Sequence, residues 1–201
     1  MARPKAPTFD LQRAAILAAA AGLFARHGFH HASMAELAAA CGVSKPLLYH
    51  YYRDKAHILF DIADSYMNKL SAIVAEVGRQ RLAPEAHLRT LILRFMQEYQ
   101  HSQAQHMVLV QDVKFLAERE RKQVLDKERL VVDAFARAIG ALQPRLRRKE
   151  LRVPLAMLLF GMLNWSFTWL RADGPLSYED MATVATEVFL HGVSAAQLQE
   201  A

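Results

Sequence analysis

The first sixty residues hold the groups best suited to meet a polyanion. They carry seven Lys or Arg (Arg3, Lys5, Arg13, Arg26, Lys45, Arg53, Lys55) against three acids, whereas residues 61–201 carry 18 against 17. Five of the nine histidines also fall there. A basic segment on a near-neutral body points to a polyanion-facing part and a second part with another task; the alternative is an ordinary solvated surface. His27, His30 and His31 stand close enough to be considered as metal ligands. Gly28 interrupts them and no carboxylate lies nearby in sequence, so they read as loop histidines near phosphates, and no metal or cofactor is expected. Cys41, the single cysteine, is a candidate redox sensor but reads as a small buried thiol, and one cysteine excludes an internal disulfide. No nucleophile elbow, phosphate loop or HExxH pattern is present, so nothing asks for an enzyme.

These groups need elements to position them. Ser33 followed by Glu36 is a capping box that opens a short helix, Met34 to Cys41. Gly42 ends it. Gly42-Val43-Ser44 is long enough only for a tight turn. Ser44 caps the next helix, Lys45 to Tyr51, with Pro46 tolerated in its first turn. Two short helices joined by a three-residue, glycine-containing turn are a helix-turn-helix signature. The second helix would enter a major groove about 12 Å wide, and the first would cross behind it. Val43 and Leu48 are the expected core plugs. Ahead of the pair, a helix from about Asp10 to His27 places Ile16, Ala20, Leu23 and Phe24 on one face and ends at Gly28. Behind it, Asp54 caps a long helix from Lys55 to about Arg79. That helix carries Ile58, Ile62, Tyr66, Leu70, Ile73 and Val77 on one stripe.

The remainder reads as further helices: Pro84 to Gln100, Ser102 to Leu116, Glu118 to Leu142, Glu150 to Arg171, and a last one to Ala195 capped by Ser177 with Asp180. Gln143-Pro144 breaks the chain, and residues 1–8 are expected to be disordered. The 201 residues are 53% apolar and 22% charged, with only eight Gly and seven Pro. That composition suits a globular helical protein. The stretch from Val153 to Leu170 carries Pro154, Gly161 and Asn164 and reads as a buried helix, not a membrane span. The start, Met1 to Asp10, is polar and short, so no secretory signal is read and a cytoplasmic location is expected.

The segment "FARHGFHHASMAELAAACGVSKPLLYHYYRDKAHIL", Phe24 to Leu59, resembles the N-terminal pattern of TetR-type one-component transcriptional repressors over about fifty residues. The resemblance implies an all-α fold of about nine helices: a DNA-binding domain (1–54) joined by a long helix to an effector-binding and dimerisation domain (55–201). It implies that Ser33, Ser44, Tyr49, Tyr51 and Lys55 hold backbone phosphates, while Lys45, Pro46, Leu47 and His50 face base edges. Hydroxyls and a lysine suit phosphates; Lys45 suits guanine acceptors and Leu47 a thymine methyl. Pro46-Leu47 departs from the small or hydroxylated residues often found there, which leaves the base code open. Tyr52 reads as core.

A palindromic site needs two recognition helices, so a homodimer is expected, paired through the apolar helix containing Gly161 and the last helix. Leu158 to Gly192 resembles the C-terminal end of TetR-type repressors that sense acyl-CoA thioesters in fatty-acid, steroid or aromatic-acid degradation. The implied partners are double-stranded operator DNA and a small effector, an acyl-CoA thioester, with no membrane. Phe95, Tyr99, Met107, Gln111, Phe115, Met157, Phe160, Asn164 and Trp165 are the expected pocket residues, the apolar ones as walls and Gln111 and Asn164 as polar fixers. His106 is a further polar candidate, and Lys114, Arg119 and Arg121 are candidates for CoA phosphates. The alternatives are a drug- or lipid-responsive regulator of an efflux pump, an architectural DNA binder without effector, and a helical carrier or enzyme.

Overall fold

The protein, described here from a computed structural model, is defined over residues 7–142, 149–171 and 173–195. Nine α-helices lie among them: α1 (Pro7–His27), α2 (Met34–Ala40), α3 (Lys45–Tyr51), α4 (Lys55–Arg79), α5 (Pro84–His101), α6 (Gln103–Asp112), α7 (Glu118–Leu142), α8 (Arg152–Trp165) and α9 (Tyr178–Ala195). No strand occurs among the described residues. None of the described helices is long and apolar enough to cross a membrane. The Gln143-Pro144 break and Arg3 and Lys5 lie outside the described residues. Pro7 and Thr8 open α1, so the disorder expected for residues 1–8 does not extend to them.

Two compact units are present. The first combines Met1–Met67 with Ser102–Leu125, and the second combines Asn68–His101 with Asp126–Ala201. Packing therefore groups α6 with the helix-turn-helix, whereas the sequence divides by task at 54/55. In the first unit α1 packs against α2 and α6. Ile16, Ala20 and Phe24 of α1, Leu37 of α2, Leu48 of α3 and Ile58 and Ile62 of α4 are each no more than 1% exposed. In the second unit α9 packs on α5 and α8. Phe95, Phe135 and Phe160 meet there, with Phe135 centred 4.9 Å from Phe95 and 4.7 Å from Phe160. Aromatic pairs at such separations add to the stabilisation from burial alone.

Local chemistry explains the ends of the elements. The Ser33 hydroxyl accepts from the Glu36 amide at 3.2 Å, and the Glu36 carboxylate accepts from the Ser33 amide at 2.8 Å. Asp54 caps α4 by accepting from the His57 amide at 2.8 Å. Ser177 and Asp180 cap α9 reciprocally. Ser33→Ala removes an N-cap acceptor and should lower stability by about 1 kcal/mol, read as an earlier midpoint in urea denaturation followed by circular dichroism. Two expected helices are shorter than the sequence reading. α6 stops at Asp112 and tightens into a 3₁₀ turn, Val113–Phe115. α8 stops at Trp165, and Ser166–Thr168 forms a second tight turn. Ser166 and Thr168 donate their hydroxyls to the carbonyls of Leu163 and Trp165, an alternative to continued helix that such residues offer.

Candidate nucleic-acid interface and effector-domain residues

The helix-turn-helix is held by its turn. Gly42 adopts φ +66°, a conformation that side chains rarely accept, and its amide and that of Val43 close onto Ala39 and Ala38 carbonyls at 3.1 and 3.0 Å. Leu48 is fully buried and anchors α3, while Val43 is only half-buried. Cys41 is half-buried with its thiol directed at the Ile16 carbonyl, 3.6 Å away, and burial pushes that thiol's pKa up, which disfavours a reactive thiolate. Tyr52 is core, as expected, at 1% exposure; burial beside Asp61 pushes its phenol up, and Arg13 pairs with Asp61 next to it.

The rest of α3 faces outward. Ser44, Lys45, Pro46, Leu47, Tyr49 and His50 are all exposed, with Leu47 at 40% and Tyr49 at 46%. Ser44 also accepts from the Leu47 amide at 3.3 Å, so its hydroxyl proton points away from the helix. Ser33 is exposed at the start of α2. Tyr51 is half-buried, stacked on Phe9 with ring centres 4.6 Å apart, so α1 braces it. A seven-residue helix with one buried side chain and an exposed leucine and tyrosine has a poor solvent face and a good contact face.

Lys55 was expected to hold a phosphate. Its ammonium instead donates to the carbonyls of Phe29, His30 and Ala32 at 2.9, 3.0 and 3.0 Å, and it lies 4.7 Å from the centre of the Phe29 ring. An ammonium has three protons, and all three are engaged. Lys55 straps the α1–α2 loop to the start of α4. Phe115 closes the same loop from the other side, stacked on Phe29 at 5.8 Å and edge-on to His30 at 4.1 Å. Sequence reasoning missed both contacts.

The expected pocket residues divide between the units. In the second unit, Tyr99 is 3% exposed and donates its hydroxyl to Asn164 Oδ1 at 2.7 Å. Burial raises the Tyr99 pKa far above its ordinary value. Phe95 and Phe160 pack nearby in the aromatic core. Met157 and Trp165, also expected at the pocket, are 55% and 66% exposed on the outer side of α8. That outer side continues through Val153, Leu158 and Gly161, with Val184 and Val188 exposed on α9. In the first unit, Met107 is half-buried, and His106 is buried with its ring 3.3 Å from the Tyr66 hydroxyl. Gln111 and Phe115 line a cavity of about 480 Å³ together with Lys114. Arg119 and Arg121 are exposed on α7. No cluster of three or more His, Cys, Asp or Glu able to hold a metal occurs among the described residues.

A capped helix-turn-helix with an outward recognition helix, followed by a larger helical bundle, defines a regulator of the helix-turn-helix class. Residues 16–62 match the model of bacterial regulatory proteins of the tetR family. Residues 81–193 match the tetracyclin repressor-like C-terminal domain. The chain belongs to the TetR family of transcriptional regulators. It is 26% identical to the HTH-type transcriptional activator FasR of Mycolicibacterium smegmatis, over 91% of this chain and 83% of FasR. A TetR-family regulator from Bordetella parapertussis superposes with a TM-score of 0.86 at 30% identity, covering 93% of this chain and 98% of the other. AibR, solved in complex with isovaleryl coenzyme A and operator DNA, superposes with a TM-score of 0.78 at 26% identity, covering 88% of this chain and 97% of AibR.

Proposed function

We propose that the protein is a dimeric repressor that binds a palindromic operator and is released from it by a small effector, an acyl-CoA thioester. The observation that carries the DNA part is α3, which turns every side chain but Leu48 and the braced Tyr51 outward. Residues 1–54 read the DNA. Lys45, Pro46, Leu47 and His50 meet base edges, and Ser33, Ser44, Tyr49 and Tyr51 meet phosphates. Lys55 acts on the DNA through the loop it holds. Residues 55–201 bind the effector and the second copy. The two-fold arrangement uses the apolar outer side of α8 and α9, where the Cβ position of Gly161 has nothing within 4 Å and leaves room for a close helix.

The effector reading is supported by the relatedness to AibR, which was solved with such a thioester. Tyr99, Asn164, Phe95 and Phe160 give the second unit a part-buried polar pair beside aromatic walls, a combination that suits a thioester or amide. Release follows only if the effector binds the DNA-free state more tightly than the DNA-bound one. The test is an electrophoretic mobility shift on DNA upstream of the gene, at fixed salt, with and without a panel of acyl-CoA thioesters. A specific shift abolished by one thioester supports the whole reading. A specific shift that responds to lipophilic drugs and to no thioester overturns the effector class. No sequence-selective shift overturns the repressor.

A further inference from the structure

Three Lys or Arg lie between residues 45 and 60. Lys45 opens α3, and Lys55 is committed to three carbonyls. That leaves Arg53, just past the end of α3, with its side chain 71% exposed. A helix the length of α3 spans about 10 Å, less than the major groove's width of about 12 Å. An arginine just past its end is therefore within reach of the phosphates that border the groove. The guanidinium is already held along one edge. Its Nε meets Asp54 Oδ2 at 3.2 Å, and its Nη2 meets Glu120 Oε1 at 3.6 Å. These two nitrogens form the side-on edge with which an arginine takes two oxygens of one phosphate. Asp54 is the neighbour in sequence and caps α4. Glu120 comes from the first turn of α7, and its side chain is only 20% exposed. The glutamate is pinned by its surroundings, and the arginine is free to turn.

We propose that Arg53 grips a backbone phosphate of the bound DNA and that Glu120 competes with that phosphate for it. Both roles rest on the DNA reading proposed above; Arg53 supplies the contact that Lys55 does not make. A phosphate offers paired oxygens as a carboxylate does, and the planar fork of the guanidinium fits either. An exposed ion pair adds little in water, so a phosphate can displace the carboxylate. Glu120 is then a positioning residue that acts through Arg53. It lowers affinity for every duplex alike, because phosphates carry no sequence information. Discrimination between duplexes is left to the base contacts of α3.

Fluorescence anisotropy of the full chain tests this on two labelled duplexes of equal length, one from upstream of the gene and one of unrelated sequence, at several salt concentrations. Arg53→Ala should weaken binding to both by a similar factor and lower the slope of log affinity against log salt by about 0.9. Arg53→Lys keeps the charge and should restore the slope. Glu120→Gln should tighten both duplexes by about two- to five-fold and have no effect in the Arg53→Ala background. Glu120→Asp keeps the charge but withdraws it from Arg53, so it should tighten binding too; it serves as the second variant if Glu120→Gln does not fold. Urea midpoints of the variants should match that of the unaltered chain, since an exposed ion pair adds little to stability. An unchanged salt slope in Arg53→Ala overturns the phosphate contact. Equal tightening by Glu120→Gln with and without Arg53 would show Glu120 repelling DNA by its own charge and overturns the competition. A change confined to one duplex would make Arg53 a base reader and overturns the proposal as well. If the unaltered chain binds both duplexes equally, the repressor reading fails, and Arg53 still stands or falls by its salt slope.

Discussion

Lys55→Met should destabilise the first unit by about 2–3 kcal/mol and lower operator affinity, while leaving the salt dependence of DNA binding unchanged. The methionine keeps the apolar stem and removes the three donors that reach Phe29, His30 and Ala32. Hydrogen bonds to a charged group are worth about 1.5–3 kcal/mol each, and the partial exposure of this loop lets water replace part of that. The freed loop includes His30 and Phe29 and leads directly into Ser33 and α2, so the pair of short helices loses its fixed entry. A phosphate contact behaves differently: deleting one lowers the slope of log affinity against log salt by about one and leaves stability nearly untouched. Urea denaturation together with mobility shifts at several salt concentrations separates the two. A reduced slope with unchanged stability would restore the phosphate role and refute the strap.

Leu158→Arg should convert the proposed dimer to a monomer. Leu158 is 66% exposed at the centre of the apolar outer side of α8. By two-fold symmetry the change enters a dimer twice. Each copy forfeits the burial of a leucine, about 1.5–3 kcal/mol, and places an unpaired charge in an apolar contact. The dimer dissociation constant should rise by about a thousand-fold or more, since each 1.4 kcal/mol is a factor of about ten. Sedimentation velocity at micromolar concentration reads this directly. Leu130 supplies the control: it is also 66% exposed but lies on α7, outside the α8–α9 stripe. Leu130→Arg should leave the oligomeric state unchanged. If both variants dissociate, general surface apolarity and not this face holds the copies together; if neither does, the α8–α9 pairing is wrong. The monomer should also lose most operator affinity, because one recognition helix reads one half-site.

What could be read from residues in order depended on how local the physics is. Ser33 and Glu36 close a ring within one turn, and Gly42 takes a backbone angle that its neighbours' types announce. The stripe of α4 from Ile58 to Val77 repeats once per turn, and every member is buried. The start and end of α3, α4 and α7 were legible for the same reason. The end of α8 was not, because Ser166 and Thr168 are compatible with helix and leave it only by bonding back to carbonyls. The inward and outward sides of α8 were not legible either. The helix is apolar all round, so no periodicity distinguishes Phe160, which faces the aromatic core, from Met157 and Trp165, which do not.

By itself the sequence determined that this chain is helical, that its N-terminal third is a helix-turn-helix with a basic bias, and where most of its helices begin. Those properties come from hydrogen bonds and periodicities spanning a few residues, which the order of side chains specifies directly. The tertiary structure alone decided that Lys55 is a strap and that Tyr99 meets Asn164. These pairings join groups 23 to 26 residues apart at Lys55 and 65 apart at Tyr99. An ammonium can donate to a phosphate or to a carbonyl; which one it meets is set by the packing that brings the loop to it, and sequence spacing carries no record of that choice.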